Sequence, residues 1–453
     1  MSTADSGTSG STAGVSVEID DVQSGALRPR PVPYAGEYVF LRVDDRHAGR
    51  AVLRRLLPLT SGGLPRGGPS QDAWVAVAFT HQGLKALGVP QESLDSFPRA
   101  FREGMAARAE LIGDVGESAP AHWEAPFGTG DVHIALSALS SDTGLLGRAL
   151  DRVRAAYEGT PGVRMIWQQE VRQLPTGRTT FGFRDGISHP NIEGVGLPGS
   201  NPQETPIKAG EFILGYPDET GHLPPAPSPD VLGRNGTYVA VRKARTDVAA
   251  WRRYLRANTS SAEEEALLAA KMVGRWPSGA PLALSPDHDD PELAADPQRV
   301  NNFLYREHDD RGLRCPAGAH IRRTNPRDAT IIGDARMHRL IRRGTTYGPP
   351  LPEGVLEDDG ADRGLIGAFI GAHLERQFEF IKAEWVNDGN FIGYPGEKDP
   401  VAGHHDGTGS VTIPEKPVRR RLRNLPSFVV IRGGEYCFLP GLRALRWLAE
   451  LED

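Results

Sequence analysis

Cysteine is almost missing from this chain. Only Cys315 and Cys437 occur in 453 residues. Two thiols cannot build a disulfide framework or a four-thiolate metal site. Nowhere do about 18 apolar residues follow one another, the minimum for a helix that spans a bilayer. A basic surplus is also lacking: 52 Lys and Arg stand against 58 Asp and Glu, a net charge of −6. Nucleic acid and anionic membrane surfaces are therefore not the expected partners. The opening MSTADSGTSGSTAG has no charged n-region, no apolar h-segment and no twin-Arg pair. The expectation is thus a cytoplasmic protein. No short tandem repeat is visible. What is plentiful is glycine (53) and proline (37), alongside 39% hydrophobic and 24% charged residues. That is a loop-rich globular chain and not a helical bundle. Its length exceeds what one core usually serves, so two domains are expected.

Apolar spacing alternates between strand and helix character. Strands are predicted at 37–43, 72–79, 131–136, 163–171, 210–216, 237–241, 365–370 and 427–431. Helices are predicted at 47–57, 80–87, 145–157, 249–255, 262–272, 374–386 and 442–451, with Thr80 as an N-cap and Gly88 as a stop. Residues 1–32 read as a disordered tail and lead-in, rich in Ser, Gly and Thr and then in Pro. Two α+β halves follow, divided as 33–205 and 206–453. Long Pro- and Gly-rich loops at 57–71, 113–129, 197–205 and 216–235 suit the walls or lids of a site.

Three stretches carry chemistry. FGFRDGISHP (181–190) sets Asp185 between Gly182 and Gly186 in a G-x-x-D-G pattern. Flanking glycines let the backbone approach a large flat ligand and aim one carboxylate into a cavity; the plain alternative is a tight turn with a solvated Asp. CPAGAHIRRTNPR (315–327) places His320 before Arg322, Arg323 and Arg327. A proximal His is a common ligand of haem iron, and arginines suit its propionates. A hydrogen-bonded core histidine above a solvated basic face is the bland reading. HRLIRRGTTYG (338–348) ends an apolar-alternating segment with Arg342 and Arg343. One Arg beside one Asp would polarise a bound peroxide, whereas a strand end with surface arginines would do nothing of the kind.

Together these stretches resemble the dye-decolorizing peroxidase family. The resemblance extends to AFTHQGLKALG (78–88), LIGDVGESAP (111–120), ERQFEFIKAEW (375–385), KDPVAG (398–403) and FVVIRGGEYCFLPGLRALRWL (428–448), so it covers residue 18 or so to the C-terminus. The chain is similar to the longer, bacterial-like members. The resemblance implies two ferredoxin-like α+β domains with antiparallel sheets, in a dimeric α+β barrel-like arrangement around one haem b. The first domain would carry the G-x-x-D-G motif and the second the iron ligand. It implies His320 as the proximal ligand, Asp185 as the distal acid–base residue and Arg342 as its partner, with Arg343 as the fallback. Gly182, Gly186, Arg322, Arg323, Arg327 and Arg343 would line the cofactor. Hydrogen peroxide and an aromatic or dye-like donor would be the substrates, and a homodimer is compatible.

Two departures stand out. His189 replaces a Gln common in the family, and a titratable ring four residues from Asp185 is expected to disturb its pKa. The acid behind the proximal His aligns with Ser427, leaving Glu375 and Glu379 as substitutes. An Asp titrates below a His, so activity is expected to extend to acidic pH. Bulky donors would pass electrons through surface aromatics, with Tyr347, Tyr394, Trp385, Tyr436 and Trp447 as candidates. GVGLPG (194–199) is not read as a dinucleotide site, because no strand leads into it and Pro198 sits where a helix would start. The acidic clusters at 287–292 and 307–310 are read as solvated loops before manganese sites. Rival functions are a haem-handling protein without peroxidase turnover and a haem enzyme of a dedicated biosynthetic pathway.

Overall fold

A computed structural model describes residues 15–63, 73–329 and 334–452. The Ser- and Gly-rich opening, residues 1–14, and most of the loop at 57–71 lie outside them. Ten strands are present among these residues: β1 (Ala35–Val43), β2 (Trp74–Phe79), β3 (Ile134–Ser140), β4 (Val163–Arg172), β5 (Thr237–Thr246), β6 (Ile341–Tyr347), β7 (Gly364–Gly371), β8 (Asp406–Ile413), β9 (Arg420–Pro426) and β10 (Val429–Leu439). Eight form one antiparallel sheet in the order β4-β1-β3-β2-β10-β5-β7-β6, and β8 and β9 form a separate hairpin.

The large sheet is two quartets of identical order. In each, the first strand lies between the quartet's fourth and third, the ferredoxin-like arrangement. The quartets meet where Phe438 of β10 faces Phe79 of β2. Their outer edges also meet: Thr346 of β6 bonds the Arg172 carbonyl of β4, and the Tyr34 hydroxyl accepts from the Thr346 N–H at 2.9 Å. The sheet thereby closes into a barrel. Alternation along each strand divides the core in two. Phe40, Ala135, Val239, Ile370 and Leu439 point inward, where both quartets contribute to one cluster. Val39, Leu41, Val77, Leu136, Ala240 and Phe438 point outward and are covered by helices.

Those helices form where the sequence places caps and apolar stripes. Asp45 accepts from the Ala48 N–H at 2.8 Å and starts the helix Arg46–Leu56, which buries Val52, Leu53 and Leu56. Asp142 and Ser261 cap Thr143–Tyr157 and Ala262–Val273 in the same way. Among the described residues no helix is long and apolar enough to cross a membrane.

Several expectations change. The run at 210–216 is not a strand: Ala209–Glu211 is a short 3-10 turn, and Phe212, Ile213 and Leu214 are buried by packing, without a strand partner. A short apolar run does not distinguish the two. The strand expected at 427–431 is the start of the 11-residue β10, whose register shifts between Ile431 and Gly433. The helix at 374–386 is π-helical over Leu374–Glu379 and Ile381–Asn387. Residues 15–32 are not a tail. The Gln23 amide donates to the Val77 and Pro440 carbonyls and accepts from the Val77 N–H, all at 2.9 Å, which pins the lead-in to β2 and the end of β10.

Candidate active site

His320 opens the short helix His320–Thr324 in the long connection between β5 and β6. Its Nδ1 lies 2.8 Å from Asp399 Oδ2. Asp399 is fully buried, and its other oxygen accepts from the Val401 and Ala402 N–H groups at 2.8 and 2.9 Å. Burial works against its charge. The His320 ring, its hydrogen bond, the Ala402 N–H and the Arg323 guanidinium outweigh that and hold its carboxyl at about 2. Nδ1 is thus committed to the carboxylate, and Nε2 is the nitrogen left for a metal.

Asp399 was not foreseen. Ser427 instead donates to the His405 carbonyl at 2.8 Å. Glu379 binds Arg108 and the Tyr436 hydroxyl, and Glu375 stands 3.8 Å from Arg108. The available signal was the KDPVAG stretch, whose Asp is followed by a Pro and then by two free N–H groups.

The expected arginine cluster also divides differently. Arg322 is buried against Asp309 and the Cys315 carbonyl, above the Tyr305 ring. Arg323 is fully buried and donates to the Trp385 and Glu397 carbonyls. Arg327 donates to the Asn301 and Phe303 carbonyls and stacks on Phe303. All three donate to acceptors of the chain itself, while Nε of Arg323 is buried and has no partner among the described residues. Cys315 is buried and its thiol is pushed up to about 12 by desolvation, so it offers no thiolate.

On the other motif, Gly182 and Gly186 both take positive φ, 88° and 76°, and carry Asp185 out over β6. A Cβ on Gly344 would stand 2.9 Å from Asp185 Oδ2, so the close approach requires glycine there. Arg342 lies two residues earlier on that face of β6. Opposite it on β7 is Phe369, with Gly367 opposite Gly344 and Leu365 opposite Thr346. Phe369, Gly367 and Leu365 are half-buried and form an apolar floor. Arg342 is open to solvent, yet protein encloses it enough that desolvation lowers its pKa, against the pull of Asp185. Those two properties together describe the wall of a cleft.

Arg343 does not belong to it. The two-residue period of a strand turns its side chain into the barrel, beside Tyr38. Arg30 was unforeseen: from the lead-in it stacks on Tyr34 and sets Nη2 3.3 Å from Asp185 Oδ2. His189 is buried, and desolvation with the charges of Arg343 and Arg339 drives its pKa to about 3, so it stays neutral and does not act on Asp185 as a charge.

Both motifs pack on one short segment. A side chain at Gly274 would strike Ile321 of the proximal helix, and one at Gly279 would strike Ile187. The Arg184 N–H donates to the Pro277 carbonyl at 3.1 Å. Open space borders both motifs as well, since a Cβ at Gly182 or Gly318 would meet no atom within 4 Å. A free imidazole nitrogen, an apolar floor, open glycine backbone and a polar Asp–Arg pair fit an iron porphyrin.

This barrel and cleft define an α+β barrel protein with one histidine backed by a buried carboxylate. A family profile described as "DyP dimeric alpha+beta barrel domain" matches residues 67–172. A "Dye-decolorizing peroxidase" of Exidia glandulosa is 30% identical over 455 residues, 95% of this chain and 87% of its own. The "Multifunctional dye peroxidase DyP2" of an Amycolatopsis species is 27% identical over 404 residues, 83% and 82% of the two chains. A dye-decolorizing peroxidase solved in complex with 2,6-dimethoxyphenol superposes with a TM-score of 0.83 at 27% identity, over 96% of this chain and 100% of its own. The chain belongs to the dye-decolorizing peroxidase family, whose members are haem enzymes. The fungal relative stands at 30% identity and the bacterial one at 27%.

Proposed function

We propose that this protein is a haem b peroxidase that reduces hydrogen peroxide and oxidises dyes, phenols and other aromatic donors in one-electron steps. The observation that carries the reading is the His320–Asp399 pair, which fixes one ring nitrogen and leaves the other for iron. Bound haem would supply the redox-active iron and an open face for peroxide. His320 Nε2 would hold it, and Asp399 sets the tautomer and raises the basicity of the ring.

Asp185 is the acid–base residue of this reading. Its carboxylate takes a proton from one peroxide oxygen and returns it to the other, which leaves as water. Arg342, on the same face of β6, stabilises negative charge on the peroxide. Arg30 shares Oδ2 of Asp185 and orients it. Gly182 and Gly186 supply the turn that presents the acid. Of the aromatics named as exits for electrons, Tyr347, Trp385 and Tyr436 are buried, whereas Tyr394 and Trp447 are partly exposed and suit large donors better. A boundary near residue 205 separates the Asp185 motif from the His320 half. In solution we expect a homodimer, in keeping with the matched profile's description; light scattering tests it.

The experiment compares haem-loaded wild type with Asp185→Ala and His320→Ala. Asp185→Ala is expected to keep its Soret band and lose about 10²–10⁴ in peroxide-dependent dye oxidation. His320→Ala is expected to lose haem on gel filtration. Unchanged turnover in the first, or full retention of haem in the second, overturns the corresponding assignment. Wild type that binds haem and is merely bleached by peroxide would be a haem-handling protein.

A further inference from the structure

The barrel interior holds a partly open cavity of about 80 Å³. A single water needs roughly 10–15 Å³ of such space, so this one has room for several heavy atoms. Its walls are apolar, with Phe40, Trp74, Val239, Val241, Ile370 and Leu439 among them. One charged group lines it, Arg343.

That guanidinium is poorly served by the protein. It is 7% exposed, and Nη1 reaches only the neighbouring Arg342 carbonyl at 3.2 Å. Nε and Nη2 are buried and have no partner among the described residues. The groups within electrostatic reach of it are Arg30, which repels it, the Tyr38 hydroxyl, itself buried and close to Thr345, and the buried, neutral His189 ring, to which no hydrogen bond is formed. No carboxylate lines the cavity. An unpaired buried cation is strongly unfavourable, and an apolar side chain of similar length would serve packing better. Its presence is explained if the cavity takes an anion.

We propose that the barrel interior is a binding site for a small apolar carboxylate, held on Nε and Nη2 of Arg343 with its hydrocarbon against Trp74 and Val239. A guanidinium edge matches the two oxygens of a carboxylate. Phosphate or sulfate would leave further oxygens facing apolar walls, where no second cation stands. The site is separate from the peroxide cleft, because Arg342 and Arg343 project from opposite faces of β6. It does not depend on the haem assignment.

Calorimetric titration of the haem-loaded full chain with sodium benzoate and with sodium butyrate tests this, using sodium chloride and benzyl alcohol as controls and the Soret band as a second readout. One saturable site is expected for at least one of the two acids, with no Soret shift and no saturable heat from the controls. Arg343→Met, which removes an unpaired charge and is expected to melt no lower than wild type, should bind roughly ten- to hundredfold more weakly. Ala368→Leu keeps the cation and fills the cavity from the position facing Arg343 across the strand pair; it should weaken binding likewise. If Arg343→Met does not fold, Ala368→Leu decides alone. The proposal fails if neither acid gives saturable heat, if both variants bind as wild type does, or if binding shifts the Soret band equally in wild type and Arg343→Met, which would place the acid on the haem.

Discussion

The two quartets share a strand order and differ in what joins their strands. In the first, β3 passes to β4 through the single helix Thr143–Tyr157, and β1 to β2 through Arg46–Leu56 and a loop. In the second, everything from residue 247 to 340 lies between β5 and β6, and everything from 372 to 428 between β7 and β10. His320 sits in the first of these long connections and Asp399 in the second. The first quartet therefore spends its connections on covering the barrel, and the second spends them on holding a reactive group. A repeated fold unit can carry two different duties because its connections, and not its strands, differ.

Changes in the two regions should separate function from stability. Asp399→Asn, in the second quartet, should weaken haem retention about 10–100-fold, since the ring loses its charged acceptor; competition with apomyoglobin measures it. An unchanged off-rate would show that the connection merely packs. Glu435 lies on β10 and bonds the Gly128 N–H of a first-quartet loop at 2.7 Å, so it joins the two regions. Burial pushes its carboxyl up to about 7. The folded protein then holds a proton that the unfolded chain releases, so stability falls as pH rises from about 4.5 to 7 and stays low above that. Glu435→Gln should accordingly gain about 2 kcal/mol over wild type at alkaline pH and little at about pH 5, by denaturant melts.

Smaller effects are expected where the first quartet is merely capped. Asp45→Ala should cost about 1 kcal/mol of stability and leave dye oxidation as it is. A loss of turnover there would break the separation. His189→Gln should leave the pH profile of dye oxidation unmoved, because a ring with a pKa near 3 is already neutral. Its folded pKa is depressed, so wild type loses stability as pH falls below about 6.5, and the Gln variant should be spared that loss.

What the sequence revealed follows the range of the interactions involved. Amphipathic helices and their caps are local, and Thr143–Tyr157 and Ala262–Val273 emerge nearly whole. β10 was cut short because Gly433 and Gly434 interrupt its pattern at the register shift. Asp185, His320 and Arg342 stand in compact motifs. Asp399 is 79 residues from His320, and Arg30 is 155 from Asp185, so only the folded chain brings each pair together. Choosing between Arg342 and Arg343 needed the facing of a strand that the apolar spacing had left without an assigned direction.

The lead-in bears on how the protein is handled at the bench. Shortening the chain to its first regular strand is a routine step toward a compact crystallisation target. Here that cut would take away the Gln23 amide fastening the barrel seam and the Arg30 guanidinium beside Asp185. A trimmed version that still folds and still turns red with haem would be a poor guide to the enzyme's acid–base behaviour.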